Sequence, residues 1–210
     1  MKTKIYNLII IDESGSMQII KQEAINNVNE TIQTIRSAQA KHQDQEHFVT
    51  LVTFNDEVKV IHDCAPVEKI AELTSETYIP NCNTALFDAM GRSLNQLRKQ
   101  VTDDDKVLVT VITDGYENAS REYRGAAIKA LIDELKAKDW IFAYIGANQD
   151  VEAIAKSMSI DNILAFHPDA CGVKKMTARM NRSRKNLFDN IGGWSGFASK
   201  FVCDDDDDNI

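Results

Sequence analysis

The sequence lacks the segments that mark secreted and membrane proteins. The apolar run that begins at Ile5 is interrupted by Asp12, so it is too short for the hydrophobic region of a secretory signal. No stretch approaches the ~18 consecutive apolar residues that a membrane helix needs. We therefore expect a cytoplasmic protein without a membrane span.

Cysteine is scarce, and its spacing argues against two common uses. The four cysteines contain no C-x-x-C pair, and the four histidines show no ligand spacing with them: Cys64, Cys82, Cys171 and Cys203. A zinc site is therefore not indicated. We interpret the cysteines as reduced thiols, as expected in the cytoplasm, with two disulfide bridges in a secreted protein as the alternative.

An excess of positive charge is also missing. The net charge is −8, and five of these charges belong to the run Asp204–Asp208, so the rest of the chain is only mildly acidic. Charge therefore does not point to nucleic acid as a partner. With 43% hydrophobic and 27% charged residues over 210 positions, the composition suits one globular domain, alone or with an appendage.

Apolar runs alternate along the chain with segments of helical periodicity. Six runs read as strands, several of them aliphatic at consecutive positions as in strands covered on both faces: Ile5–Ile11, Phe48–Phe54, Val58–His62, Lys106–Thr113, Trp140–Gly146 and, more weakly, Asn162–Phe166. The pair Asn55-Asp56 predicts a hairpin between the second and third strands. The order predicts an α/β fold with an open, mostly parallel sheet and helices on both faces.

Oxygen-bearing side chains come together at one edge of this predicted sheet. Asp12 ends the first strand and is followed by Ser14 and Ser16, Asp114 ends another strand, and Thr84 opens a helix. Ligands bind beyond the carboxyl ends of the strands in such sheets. Two carboxylates and three hydroxyls form a hard ligand set that selects Mg²⁺, Mn²⁺ or Ca²⁺ and leaves a position for water or an incoming carboxylate.

These residues resemble a known motif. Asp12-x-Ser14-x-Ser16, the later Thr84 and the Thr-Asp-Gly around Asp114 resemble the metal-ion-dependent adhesion site of von Willebrand factor A (VWA) domains. The order of strands and helices from about residue 4 to 167 is similar as well. One departure is Asn83, because many relatives carry glycine before the threonine; asparagine tolerates unusual backbone angles, so we expect the loop to form.

The resemblance implies a stand-alone, intracellular VWA domain with a Rossmann-like, six-stranded sheet that has one antiparallel edge strand. It also implies that Mg²⁺ (or Mn²⁺ or Ca²⁺) is held by five residues, and that an Asp or Glu of a partner protein completes the coordination: Asp12, Ser14, Ser16, Thr84 and Asp114. We expect Glu13 and Glu117, which flank this set, to be solvated.

We divide the chain into a VWA domain (1–168), a basic amphipathic helix packed on it (169–191), and a glycine-containing linker with an acidic tail (192–210). The helix contains six basic residues and no acidic residue between 171 and 187: Lys174, Lys175, Arg179, Arg182, Arg184 and Lys185. Its apolar seam favours docking on the domain: Val173, Met176, Met180 and Leu187. We expect three histidines at the surface or at a sheet edge: His47, His62 and His167.

The favoured function is a non-enzymatic, metal-dependent protein-interaction module. The first alternative is a metal-dependent hydrolase acting in phosphoryl transfer. Against it, the sequence has no G-x-x-x-x-G-K-[ST], G-x-G-x-x-G or G-x-S-x-G motif, and its three motif segments contain no histidine or lysine as a general base. The second alternative is binding of nucleic acid or an anionic surface through the basic helix. Nothing in the sequence indicates an oligomeric state.

Overall fold

A six-stranded sheet forms the centre of the computed structural model, which describes residues 2–147, 150–198 and 200–202. The strands are β1 (Thr3–Asp12), β2 (Gln45–Phe54), β3 (Val58–Pro66), β4 (Lys106–Thr113), β5 (Ile141–Gly146) and β6 (Asn162–Ala165). Their order across the sheet is β3-β2-β1-β4-β5-β6, with β2 and β3 antiparallel and every other neighbouring pair parallel. The predicted fold class and the hairpin at Asn55-Asp56 are confirmed.

Helices cover both faces of this sheet. They are α1 (Lys21–Lys41), α2 (Leu86–Leu97), α3 (Gly125–Lys136), α4 (Val151–Ser157) and α5 (Ala170–Asp189). The central strand β1 shows why both faces need cover: its side chains alternate, so that Ile9 packs in a core layer with α1 and α5 while Ile10 packs in a layer with α2, α3 and α4. Within the described part of the chain, no helix is long and apolar enough to cross a membrane.

Helix α5 docks on α1 and on the sheet. Val173, Met176, Met180 and Leu187 are all buried. One of the six basic residues departs from the expected exposed face: Arg184 is only 2% exposed and donates to Thr110 Oγ1 on β4 at 2.9 Å. Burial lowers the pKa of Arg184 to about 10, which keeps its guanidinium charged at neutral pH. The basic surface of α5 therefore excludes Arg184.

The expectation that His47 lies at the surface or at an edge is wrong. The residue lies on β2, an inner strand, and is fully buried with its ring edge-on to Phe188, the centroids 4.6 Å apart. Burial lowers the pKa of His47 to about 4, so the ring is neutral at pH 7. His62 on the edge strand β3 is half-buried and His167 is exposed, as expected.

The segment that follows α5 packs on the domain. Residues Ile191–Phe197 form 3₁₀ turns in which Trp194 is buried and donates its indole N–H to the carbonyl of Asp139 at 2.9 Å. Phe201 is buried too, and its backbone N–H donates to Asn162 Oδ1 at 2.8 Å. Up to residue 202, the glycine-containing segment thus contributes two aromatic side chains, Trp194 and Phe201, to the core. The acidic run Asp204–Asp208 lies outside the described residues.

We predict that Trp194→Ala destabilises the protein by about 3–5 kcal/mol, because it leaves a large cavity and removes the bond to Asp139. Urea unfolding followed by circular dichroism measures the change. Ser195→Ala, at the exposed neighbouring position, is the control and should unfold like the original protein. A Trp194→Ala protein of unchanged stability would show that this segment is not part of the core.

Candidate metal centre

The candidate centre begins where two neighbouring parallel strands end. Strand β1 ends at Asp12 and β4 at Thr113, and the register pairs Ile11 with Ile112, so both ends reach the same edge of the sheet. The Asp12 carboxylate is fully buried there. Its Oδ2 accepts a hydrogen bond from Thr113 Oγ1 at 2.6 Å, and its Oδ1 accepts one from the backbone N–H of Ser14 at 2.7 Å. These two bonds fix the orientation of the carboxylate.

The two serines connect the first segment to the segment after β4. Ser14 Oγ lies 3.2 Å from Ser16 Oγ, and Ser16 Oγ donates to Asp114 Oδ1 at 2.6 Å. Ser14 is buried, whereas Ser16 is exposed and Asp114 is half-buried. The set therefore extends from the interior of the domain to its surface.

Thr84, in the loop before α2, lies near the residues that follow β1 and β4. A Cβ atom placed on Gly115 would lie 3.1 Å from Thr84 Oγ1, 3.6 Å from Asp12 Oδ2 and 3.6 Å from Ser16 Oγ. Oxygens from the segment after β1 and from the loop before α2 thus approach the position of Gly115, in the segment after β4, where glycine has no side chain. The five residues singled out in the sequence are gathered at one edge: Asp12, Ser14, Ser16, Thr84 and Asp114.

The electrostatics of this space favour a cation. Burial raises the pKa of Asp12 to about 6, against the hydrogen bonds from Thr113 and Ser14, and the nearby Asp114 carboxylate raises it further. Burial also raises the pKa of Asp114, against the bond from Ser16. None of the ion pairs formed among the described residues involves either carboxylate. A divalent cation would supply the missing positive charge.

The chemistry of the donors fits a hard cation. Nowhere in the described ranges do three or more His, Cys, Asp or Glu side chains form a metal-binding group. The candidate set differs from such a group because it combines two carboxylates with three hydroxyl groups. Oxygen donors of this kind suit Mg²⁺, Mn²⁺ or Ca²⁺ rather than zinc or copper.

Glu13 contributes to the site in a way that the sequence did not indicate. The expectation that it is solvated is wrong: it is 1% exposed, and its Oε1 accepts from the backbone N–H of Ile79 at 2.6 Å. Its carbonyl accepts from the N–H of Asn81 at 2.9 Å, and Lys59 Nζ lies 3.5 Å from Oε2. Glu13 thus ties the loop before Thr84 to the end of β1.

Glu117 is likewise a structural residue rather than a solvated one. Its carboxylate accepts from the backbone N–H of Phe87 at 2.9 Å, near the start of α2, and from the N–H of Ser120 at 2.7 Å. Beside it, Asn118 Oδ1 accepts from Thr84 N–H at 2.9 Å while the Asn118 N–H donates to the Thr84 carbonyl at 3.0 Å. These bonds hold the Thr84 loop against the segment after Asp114.

The loop that departs from the family pattern forms by a different route from the one expected. Cys82, rather than Asn83, adopts the positive φ of 61°. The Cys82 carbonyl accepts from Gly15 N–H at 3.1 Å, and the N–H of Asn83 donates to Asp56 Oδ1 at 2.9 Å. The left-handed turn therefore lies two residues before Thr84, and Asn83 serves as a backbone donor.

Comparison with known proteins agrees with the class that the fold defines, an α/β domain with a polar edge at the carboxyl ends of its strands. The family model for the von Willebrand factor type A domain matches residues 8–179, which reaches into α5. This match covers most of the chain, and the protein belongs to the VWA family. No curated protein sequence matches it significantly.

Solved structures with the same fold are distant in sequence. The pilus adhesin SpaC from Lactobacillus rhamnosus GG aligns with a TM-score of 0.65 at 12% identity, over 90% of this chain and 30% of that one. A mutant of the PilB minor pilin from Streptococcus sanguinis aligns with a TM-score of 0.59 at 12% identity, over 90% of this chain and 63% of that one. The ArnB paralog VWA2 from Sulfolobus acidocaldarius aligns with a TM-score of 0.56 at 17% identity, over 86% of this chain and 45% of that one. The chain thus spans less than two thirds of each, and the likeness concerns the fold.

We predict that Asp12→Asn stabilises the metal-free protein at pH 7. The folded-state pKa of Asp12, about 6, lies above its ordinary value of 3.8, so the folded protein binds more protons between these values and stability falls as pH rises through them. Two pKa units correspond to roughly 3 kcal/mol, which is the upper bound of the gain.

Urea unfolding in chelator between pH 4 and pH 7 measures this effect. The original protein should lose stability across the range relative to Asp12→Asn. Asp44→Asn, at an exposed carboxylate, is the control and should follow the original protein. Parallel pH profiles for the original protein and Asp12→Asn would contradict a buried Asp12 carboxylate whose pKa is raised in the folded protein.

Proposed function

We propose that this VWA domain is a non-enzymatic, metal-dependent protein-interaction module. A divalent cation, Mg²⁺ or else Mn²⁺ or Ca²⁺, is held by the five gathered residues and binds an Asp or Glu side chain of a partner protein. The observation that carries the proposal is the small space at Gly115, which oxygens of Thr84, Asp12 and Ser16 surround at the edge of the sheet. The two raised carboxylate pKa values support it, because they indicate negative charge without a counter-charge.

Each residue has a distinct part in this proposal. Asp12 supplies buried negative charge, and Thr113 and Ser14 orient it through their hydrogen bonds. Ser16 and Asp114 supply further oxygens closer to the surface, and the buried Thr84 supplies one beside Gly115. When bound, the cation supplies an open coordination position at which a carboxylate oxygen can bind. The two carboxylates cancel the formal charge of a divalent cation without exceeding it, and the neutral hydroxyl ligands leave the cation Lewis acidic toward a partner's carboxylate.

Binding is favoured over catalysis because the three motif segments contain no histidine or lysine, and the proposal assigns both carboxylates of the edge, Asp12 and Asp114, to the cation. The nearby hydroxyl of Tyr78 is buried, donates to the carbonyl of Asp12 at 2.5 Å, and has a pKa that burial raises far above its ordinary value. It is therefore committed as a donor. A fold neighbour is named a pilus adhesin, and a binding role for this chain agrees with that name.

Calorimetric titration with Mg²⁺ and Mn²⁺ tests the site. We expect one cation to bind, and we expect Asp114→Ala and Ser16→Ala to weaken binding more than about tenfold because each removes a donor. Thr113→Val keeps the side-chain shape but removes the bond to Asp12, so it should weaken binding about tenfold or more. Asp44→Asn should bind as the original protein does. Flat titrations would contradict the proposal.

Capture of a partner from the source cell separates this function from its rivals. The module predicts a partner that is lost both with chelator and with Asp114→Ala. A hydrolase would instead turn over a generic phosphate ester in a metal-dependent way. Binding that survives chelator and disappears in salt would indicate the basic surface of α5 and anionic ligands.

A further inference from the structure

Large apolar side chains are exposed on the segments that form the candidate metal centre. Among the described residues, four such side chains stand out to solvent: Ile19 (82% exposed), Ile79 (52%), Tyr116 (52%) and Val60 (45%). The first three belong to the three segments that supply the candidate ligands: Ile19 follows Ser16, Ile79 precedes Thr84, and Tyr116 follows Asp114. Only Val60, on the edge strand β3, lies elsewhere.

The local structure turns each of these side chains outward. Ile19 lies in the 3₁₀ helix Gly15–Ile20, whose other apolar members Met17 and Ile20 are buried, so the two buried contacts leave Ile19 facing solvent. In the second segment the side chain of Tyr78 is buried, and the backbone of Ile79 is held by Glu13 at 2.6 Å. Ile19 and Ile79 are therefore exposed because their neighbours are buried and, for Ile79, because its backbone is hydrogen-bonded to Glu13.

Tyr116 is anchored through its hydroxyl instead. That group donates to Asp150 Oδ2 at 2.9 Å, while half of the side chain stays accessible. The residue is separated from the candidate ligand Asp114 only by Gly115, so it belongs to the same short segment. A tethered ring offers contact area to a ligand at a smaller loss of side-chain entropy than a free one.

We propose that Ile19, Ile79 and Tyr116 form an apolar rim that selects the residues around the partner's carboxylate. The occupant is a protein segment in which the metal-binding Asp or Glu is flanked by aliphatic or aromatic side chains. The inference rests on the proposed function, because the cation defines where the carboxylate binds. Any acidic side chain offers the same oxygen to a cation, so discrimination requires further contacts, and these three side chains are the large apolar ones that the ligand-bearing segments expose among the described residues.

A display library of random linear peptides, selected in Mg²⁺ and eluted with chelator, tests this proposal. We expect selected peptides to share an acidic residue with apolar neighbours. Against such a peptide, Ile19→Ser, Ile79→Ser and Tyr116→Ser should each weaken binding severalfold and together at least about tenfold, as expected from lost apolar burial. Val60→Ser is the control, an exposed apolar side chain outside the three segments that supply the candidate ligands, and should bind unchanged.

Calorimetry with Mg²⁺ on the same variants separates this proposal from the function on which it rests. The rim variants should bind Mg²⁺ normally, because none of the three side chains is a candidate ligand.

Selected peptides with an acidic residue but no apolar enrichment, or equal affinity for the triple variant, would overturn the rim and leave the module standing. Absence of both Mg²⁺ binding and Mg²⁺-dependent peptides would overturn the module itself. Mg²⁺-dependent self-association that the triple variant abolishes would assign the rim to a second copy of the chain and overturn the proposed occupant.

Discussion

The carboxylate of Asp12 is buried at the end of the central strand β1, where Ser14 N–H and Thr113 Oγ1 donate hydrogen bonds to it. Burying an ionised group without a counter-charge is unfavourable, and the raised pKa of Asp12 expresses that cost. The sheet is stable enough to hold this group because β1 packs in the core on both faces. The fold thus maintains a buried negative charge at the edge of the sheet, and this charge is the reason for proposing a cation there.

The rest of the edge is built around that group by hydrogen bonds that need no ligand. Glu13 joins the end of β1 to the loop before Thr84, and Asn118 and Glu117 join that loop and α2 to the segment after β4. Three segments distant in sequence are therefore held in place before anything binds. Such preorganisation reduces the ordering that a bound ion or partner would otherwise require.

Much of this could be predicted from sequence, because the signals were local. Consecutive aliphatic residues such as Leu8–Ile11 indicated a strand buried on both faces, and the Asn55-Asp56 turn indicated the hairpin. The five candidate ligands lie at or just after the ends of β1 and β4 or just before α2, so the topology brought them to one edge. The single antiparallel strand followed from the resemblance and was confirmed.

What the sequence did not indicate depends on tertiary contacts. Nothing local distinguishes Glu13 or Glu117 from solvated acids, because their partners are backbone N–H groups of distant segments. His47 is buried because α5 places Phe188 against it, and Arg184 because α5 lies on β4. The position of the left-handed residue at Cys82 likewise follows from the contact between Gly15 and that loop.

The most direct test of the central claim is a crystal structure of the protein grown with Mn²⁺, with anomalous scattering used to locate the metal. The account predicts one strong peak at the edge of the sheet, with oxygens of Ser14 and Ser16 and at least one of Thr84 and Asp114 within roughly 2 to 2.5 Å of it, or linked to it by water. A map without a peak there, at Mn²⁺ concentrations that saturate hard oxygen sites, would contradict the claim that these three segments share a cation.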